Sequence, residues 1–112
     1  METIWSNKID EILKVGYPLD NVGVSNWALT KEQALDVLEQ FLMFEVSVLG
    51  GDVYEDIDGV IQSNYDSWHC DTLSGESKSD FVRRSLIKAR TYIEEYNTKR
   101  PDKVFFVFVP NL

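Results

Sequence analysis

Six consecutive apolar residues, Val104-Phe105-Phe106-Val107-Phe108-Val109, ending at Pro110, constrain this chain more than any other feature. Side chains of a strand alternate between two faces, so a run without alternation leaves neither face for water. The run has the length of a strand, and its continuity predicts a place in the centre of a sheet covered on both sides. With 112 residues, 44% of them hydrophobic and 27% charged, the chain has material for one such layered core and no second one. Residues 1–112 are therefore read as a single domain.

The rest of the pattern supplies the cover. Ile4, Trp5, Ile9, Ile12 and Leu13 fall on one helical face over residues 3–15, and Gly16 with Pro18 gives a stop signal. Thr30 and Gln33 make a capping box, in which hydroxyl and amide satisfy orphan backbone donors. Behind it Ala34, Leu35, Val37, Leu38, Phe41 and Leu42 form a wide apolar stripe, opposite Glu32, Asp36 and Glu39. A third helix is predicted from near Ser77 to about Tyr96. Phe81, Val82, Leu86, Ala89, Ile93 and Tyr96 line one side of it, and Arg83, Arg84, Lys88 and Arg90 much of the remainder.

Between the second and third helices the period changes to two at Glu45. The Gly50-Gly51 pair inside that strand pattern implies a bulge or a close approach of backbone, because glycine accepts positive φ at little cost. Residues 55–59 read as a turn, 60–62 as a returning strand and 63–75 as a long ordered loop. The order αα, ββ, α, β predicts a layered α+β or α/β domain of about three helices on a small mixed sheet. Its C-terminal strand is expected to be central, set parallel to a neighbour by a right-handed crossover through the third helix.

Little in the sequence carries catalytic chemistry. His69 is the single histidine, and Cys70, the single cysteine, is its neighbour. Adjacent residues of an extended chain point to opposite faces, so the two do not readily act on one atom, even with Asp66 and Asp71 nearby. They read as a loop histidine and a partly packed cysteine. No GxGxxG, Gly-Lys-Ser/Thr loop or HExxH occurs, so no catalytic residue, metal or cofactor is expected. Gly50-Gly51 is not a phosphate cradle, since an acidic residue and no helix follows it. A lone cysteine forms no internal disulfide, and no stretch has the make-up of a signal peptide or a membrane span, which predicts a cytoplasmic protein that meets its partners in water.

The charge distribution is more informative. Nineteen acidic residues against eleven basic give a net charge of −8, which argues against nucleic acid and against an anionic membrane as partners. Residues 1–51 carry −5, residues 52–80 carry −7 and residues 81–112 carry +4. The middle segment places Tyr54, Tyr65 and Trp68 among Asp52, Glu55, Asp56, Asp58, Asp66, Asp71 and Glu76. Large aromatics supply desolvated anchors and carboxylates supply steering, the combination that an interface for a basic partner needs. The other reading folds the aromatics back into the core and leaves the charges to solvate a loop. Trp5 and Trp27, beside helix starts, read as packing residues.

The strings Asn26-Trp27-Ala28-Leu29-Thr30, Leu49-Gly50-Gly51-Asp52-Val53-Tyr54 and Tyr65-Asp66-Ser67-Trp68-His69-Cys70 resemble bacterial immunity protein family 40. Gly75-Glu76-Ser77, leading into a helix with Ala89, Tyr92 and Ile93, adds to the resemblance, which runs over about residues 20–109. It implies a protein of a polymorphic toxin system that protects the producing bacterium by binding a cognate toxin domain, with no catalytic motif to carry over. An acidic inhibitor suits a basic toxin, nucleases among them, because it occupies a site built for phosphate. The partner-binding residues expected on this reading are Asp52, Tyr54, Glu55, Asp58, Tyr65, Asp66, Trp68, Asp71 and Glu76. Two other classes fit the composition: an acidic adaptor for some other basic protein, and a metal-dependent hydrolase built on the carboxylate-rich loop.

Overall fold

A computed structural model describes residues 3–112. Helix α1 (Asn7–Leu13) is followed by the short strands β1 (Tyr17–Pro18) and β2 (Trp27–Ala28), then by helix α2 (Lys31–Met43). Strands β3 (Ser47–Ile57) and β4 (Val60–His69), helix α3 (Lys78–Glu95) and strand β5 (Val104–Asn111) complete the α+β domain.

Each helix starts where its cap is. The Ser6 hydroxyl accepts from Ile9 N–H, and the Asp10 carboxylate takes the N–H groups of Ile4 and Trp5 at 2.7 and 2.9 Å. Those two residues are thereby held outside the helix, which is shorter than the apolar spacing of residues 3–15 predicts. Thr30 and Gln33 form both halves of the capping box ahead of α2. The Ser77 hydroxyl accepts from Asp80 N–H ahead of α3, and Tyr96 caps its far end.

The main sheet is ordered β4-β3-β5 and the β1-β2 pair forms a second, smaller one; all pairings are antiparallel. This corrects the expected mixed sheet. The passage through α3 does return the chain parallel to β4, but one strand further on, because β3 already occupies the position between. β5 stands at the edge of the three-stranded sheet, not in its centre as the apolar run predicts: Val104, Phe106, Phe108 and Pro110 are buried on the helix side, while on the other face Val107 is buried and Phe105 and Val109 are half-covered. Val104, Phe106 and Phe108 join the large core under the three helices, whereas Val107 joins Leu19, Ala28 and Tyr54 in a smaller cluster on the other face. Its outer edge is not left bare. Leu29 and Phe106 exchange backbone hydrogen bonds of 2.8 and 2.7 Å, and the Asn26 amide donates to the Phe108 carbonyl at 2.8 Å.

Gly50 and Gly51 mark both devices that the sequence allowed. The β3–β5 register shifts between Val48 and Gly50, and the Ser85 hydroxyl of α3 accepts from the Val48 N–H at the shift. At Gly51 the Trp68 indole lies against the backbone, where a Cβ would meet its ring.

Residues 63–69, expected in a loop, belong to β4. The turn is also tighter than expected: Ile57 pairs with Val60, leaving Asp58 and Gly59 as a two-residue connection at φ 53° and 85°. Positive φ at both positions is what a type I′ hairpin turn demands, and Asp-Gly satisfies it.

Candidate functional site

The hairpin of β3 and β4 carries most of the residues singled out in the acidic segment, and the strand register sorts them onto two faces. Asp52 and Tyr54 stand opposite Val107 and Phe105 on one side and Ser67 and Ser63 on the other, so these residues point away from the helices. Gly51 and Trp68 pair on the helix side.

Between Asp52 and Tyr54 the register shifts, so that Asn64, Tyr65 and Asp66 all lie opposite Val53. Local hydrogen bonds hold this bulge: Tyr65 N–H to the Ser63 hydroxyl at 3.0 Å and Asp66 N–H to the Asn64 side-chain carbonyl at 2.9 Å. Tyr96 ties it to the end of α3. Its hydroxyl donates to Asp66 at 2.6 Å and accepts from Asn64 at 2.8 Å, and Asn64 also donates to Glu55, which faces Arg100 at 3.4 Å. Burial and then the hydrogen bond to Asp66 push the Tyr96 phenol up to about 12. Tyr65 sits between the two residues that reach for Tyr96. It is 91% exposed and takes φ 70°, a left-handed conformation rare for an aromatic residue. Backbone strain of this kind collects at binding and catalytic sites.

Asp52 is exposed and, among the described residues, has no cation at salt-bridge distance. Partial burial of its carboxyl raises its pKa, and its charge in turn raises that of the Tyr54 phenol, after burial. Tyr54 itself is mostly covered by the small cluster.

Trp68 and Glu76, also in the expected set, serve the fold, Asp71 does so through its backbone carbonyl, and Asp58 stands exposed in the hairpin turn. Trp68 is buried, stacked on Tyr92 with centroids 4.7 Å apart and edge-on to Phe108 at 6.0 Å. Glu76 holds the 70–76 segment to α3 through Arg84, one of the basic residues outside the apolar stripe of that helix. Two guanidinium nitrogens meet the Glu76 carboxylate at 2.7 and 2.8 Å, a third bond reaches the Asp71 carbonyl at 2.5 Å, and Cys70 Sγ lies at 3.3 Å. The pair spans a loop, so no helical or strand period announces it. His69 is exposed and Cys70 buried, on opposite sides as adjacent strand residues must be. Among the described residues no group of three or more His, Cys, Asp or Glu is placed to hold a metal ion.

The Glu76–Arg84 pair has a pH signature. The hydrogen bond from Arg84 is the main reason that Glu76 ionises at about 2 rather than at its ordinary 4.5. A lowered carboxyl pKa contributes stability that is complete above the unfolded value and is lost as pH falls toward the folded one. The urea midpoint of the wild type should exceed that of Glu76→Gln near neutral pH by a margin that shrinks between pH 4.5 and about 2. A margin constant across that window would mean that packing rather than charge holds the loop.

A sequence model of the family described as Immunity protein 40 matches residues 18–110. The chain belongs to the immunity protein 40 family. Neither a curated protein nor a solved structure matches it. For this immunity protein the match spans β1 to β5, so the bulged hairpin and the Arg84 clasp both lie within the family region. No helix among the described residues is long and apolar enough to cross a membrane.

Proposed function

We propose that the chain is a non-catalytic inhibitor that binds a basic toxin domain through the outer face of the β3–β4 hairpin, with Asp52, Asp58 and Tyr65 as the contacting groups and Tyr54 at the rim. The observation that carries this reading is an exposed carboxylate at Asp52, with no cation at salt-bridge distance among the described residues, on the same hairpin as a fully presented aromatic at Tyr65. The fold gains nothing from either arrangement. An unpaired carboxylate steers a cationic partner, and a rigid tyrosine anchors it at low entropic cost. Glu55 and Asp66 support the face from behind by fixing the bulge, and Trp68, Asp71 and Glu76 act through the fold. Cytoplasmic residence follows from the same reading, since the toxin to be neutralised is the one that threatens the producing cell.

The test uses a toxin domain whose toxicity co-expression of this chain relieves. Asp52→Lys and Asp58→Asn should each slow association and flatten its salt dependence, while Tyr65→Ala should speed dissociation and cost about 2 kcal/mol or more of binding. None should lower the melting temperature appreciably, because none of these side chains packs in the core. If all three variants still protect cells while reversals at Glu32, Asp36 or Glu39 abolish protection, the binding face is on α2 and the proposal fails.

A further inference from the structure

The helix layer holds an apolar surface that the fold does not use. The stripe of α2 is only partly covered: Ala34, Val37, Leu38 and Phe41 are buried, but Leu42 remains 53% exposed. Across from it on α3, Ile87 is 65% exposed, and Met43, next after Leu42, is 74% exposed. Leu38, Leu42, Leu86 and Ile87 line a groove of about 330 Å³ between the two helices, with Glu39, Arg83 and Arg90 at its rim. Exposed aliphatics gathered at one groove mark an interaction site more often than single exposed ones do.

The rim charges identify the occupant. Among the described residues, Arg83 reaches Asp80 at 3.5 Å and the Ser79 hydroxyl at 3.4 Å, both on its own helix, and Arg90 pairs with Glu94 at 3.9 Å. Such exposed pairs are worth little and are easily exchanged. Glu39 has no cation at salt-bridge distance among the described residues. The groove is therefore rimmed by two cations, Arg83 and Arg90, and an anion, Glu39, with Asp80 and Glu94 beside the arginines on α3. A uniformly basic partner would be repelled by the arginines, and a uniformly acidic helix by the glutamates. A patch that carries both signs complements itself, which is what a two-fold interface requires.

We propose that the α2–α3 groove is the interface of a homodimer, in which the exposed Leu42 and Ile87 of two copies pack together and Glu39 and Glu94 of each copy face Arg83 and Arg90 of the other. The sheet separates this groove from Asp52, so the dimer keeps both hairpin faces open. Dimerisation and toxin binding use separate faces, so either can be lost without the other.

Sedimentation velocity over about 1 to 100 µM, the range of modest homodimer affinities, reads the result directly. The wild type should move toward twice the monomer mass as concentration rises. Ile87→Glu should stay monomeric with its melting temperature preserved, since the side chain it replaces is mostly in water. Arg83→Glu with Arg90→Glu should weaken association about tenfold or more, and adding Glu39→Arg and Glu94→Arg should restore it, because inverting all four charges recovers the match. A monomer throughout the range overturns the proposal. So does a dimer indifferent to Ile87→Glu, or a fully inverted variant that does not recover.

Discussion

Gly51→Ala should destabilise the protein by about 3 kcal/mol or more, as much as removing a large core side chain. A methyl group there would overlap Cη2 of Trp68, lie 2.7 Å from Cζ3 of the same ring and 2.5 Å from the Val107 carbonyl oxygen. The carbonyl belongs to the strand next to β3 and cannot retreat without opening the sheet. The indole must move instead, giving up its stack on Tyr92 and its edge contact with Phe108. Urea unfolding measures the loss. Trp68→Leu, itself costly, should shrink the further cost of Gly51→Ala, because two substitutions acting on one contact are not additive. A loss below about 1 kcal/mol for Gly51→Ala would show that the ring is not held against the strand.

Phe106→Ala should cost about 3 to 5 kcal/mol, a large part of the stability of a domain this size. Phe106 is 2% exposed, meets Tyr96 edge-on at 5.7 Å, and pairs through its backbone with Val53 on one side and Leu29 on the other. β3 on one side, the Leu29 bridge on the other and the helices above leave little room for collapse into the cavity. A loss under about 1 kcal/mol in equilibrium unfolding would mean that β5 behaves as a loosely packed edge.

The elements legible in the sequence are those whose signal is local. The Thr30–Gln33 box, the Ser77 start and the apolar run of β5 each state their structure within a few residues. β4 was hidden because only Trp68 of its ten residues is buried, and the bulge at residues 64–66 breaks the alternation that would reveal a strand. The Asp58-Gly59 signal was present and marked the hairpin more sharply than the flanking polar residues suggested.

The acidic segment was likewise legible as charge but not as geometry. Asp52 and Glu76 look alike in sequence, yet one is exposed on the outer face and the other is clasped by Arg84 from eight residues away. Trp68 and Tyr65 are three residues apart and differ between 7% and 91% exposure, because the bulge turns one outward and Gly51 makes room for the other. Leu42 reads as core from its place in the stripe. It is left half in water because α3 stands off from that side of α2.

The placement of β3 between β4 and β5 also sets an order of events during synthesis. β4 can zip onto β3 through a two-residue turn, a local and rapid step, but the other edge of β3 waits for a strand about fifty residues later, whose docking must first overcome loop-closure entropy. Until β5 emerges, Val53 lacks Phe106 as its neighbour and Leu29 has no strand to bridge. A nascent chain on the ribosome therefore exposes the inner faces of its helices for most of its elongation. The core can close only once nearly the whole domain has been translated.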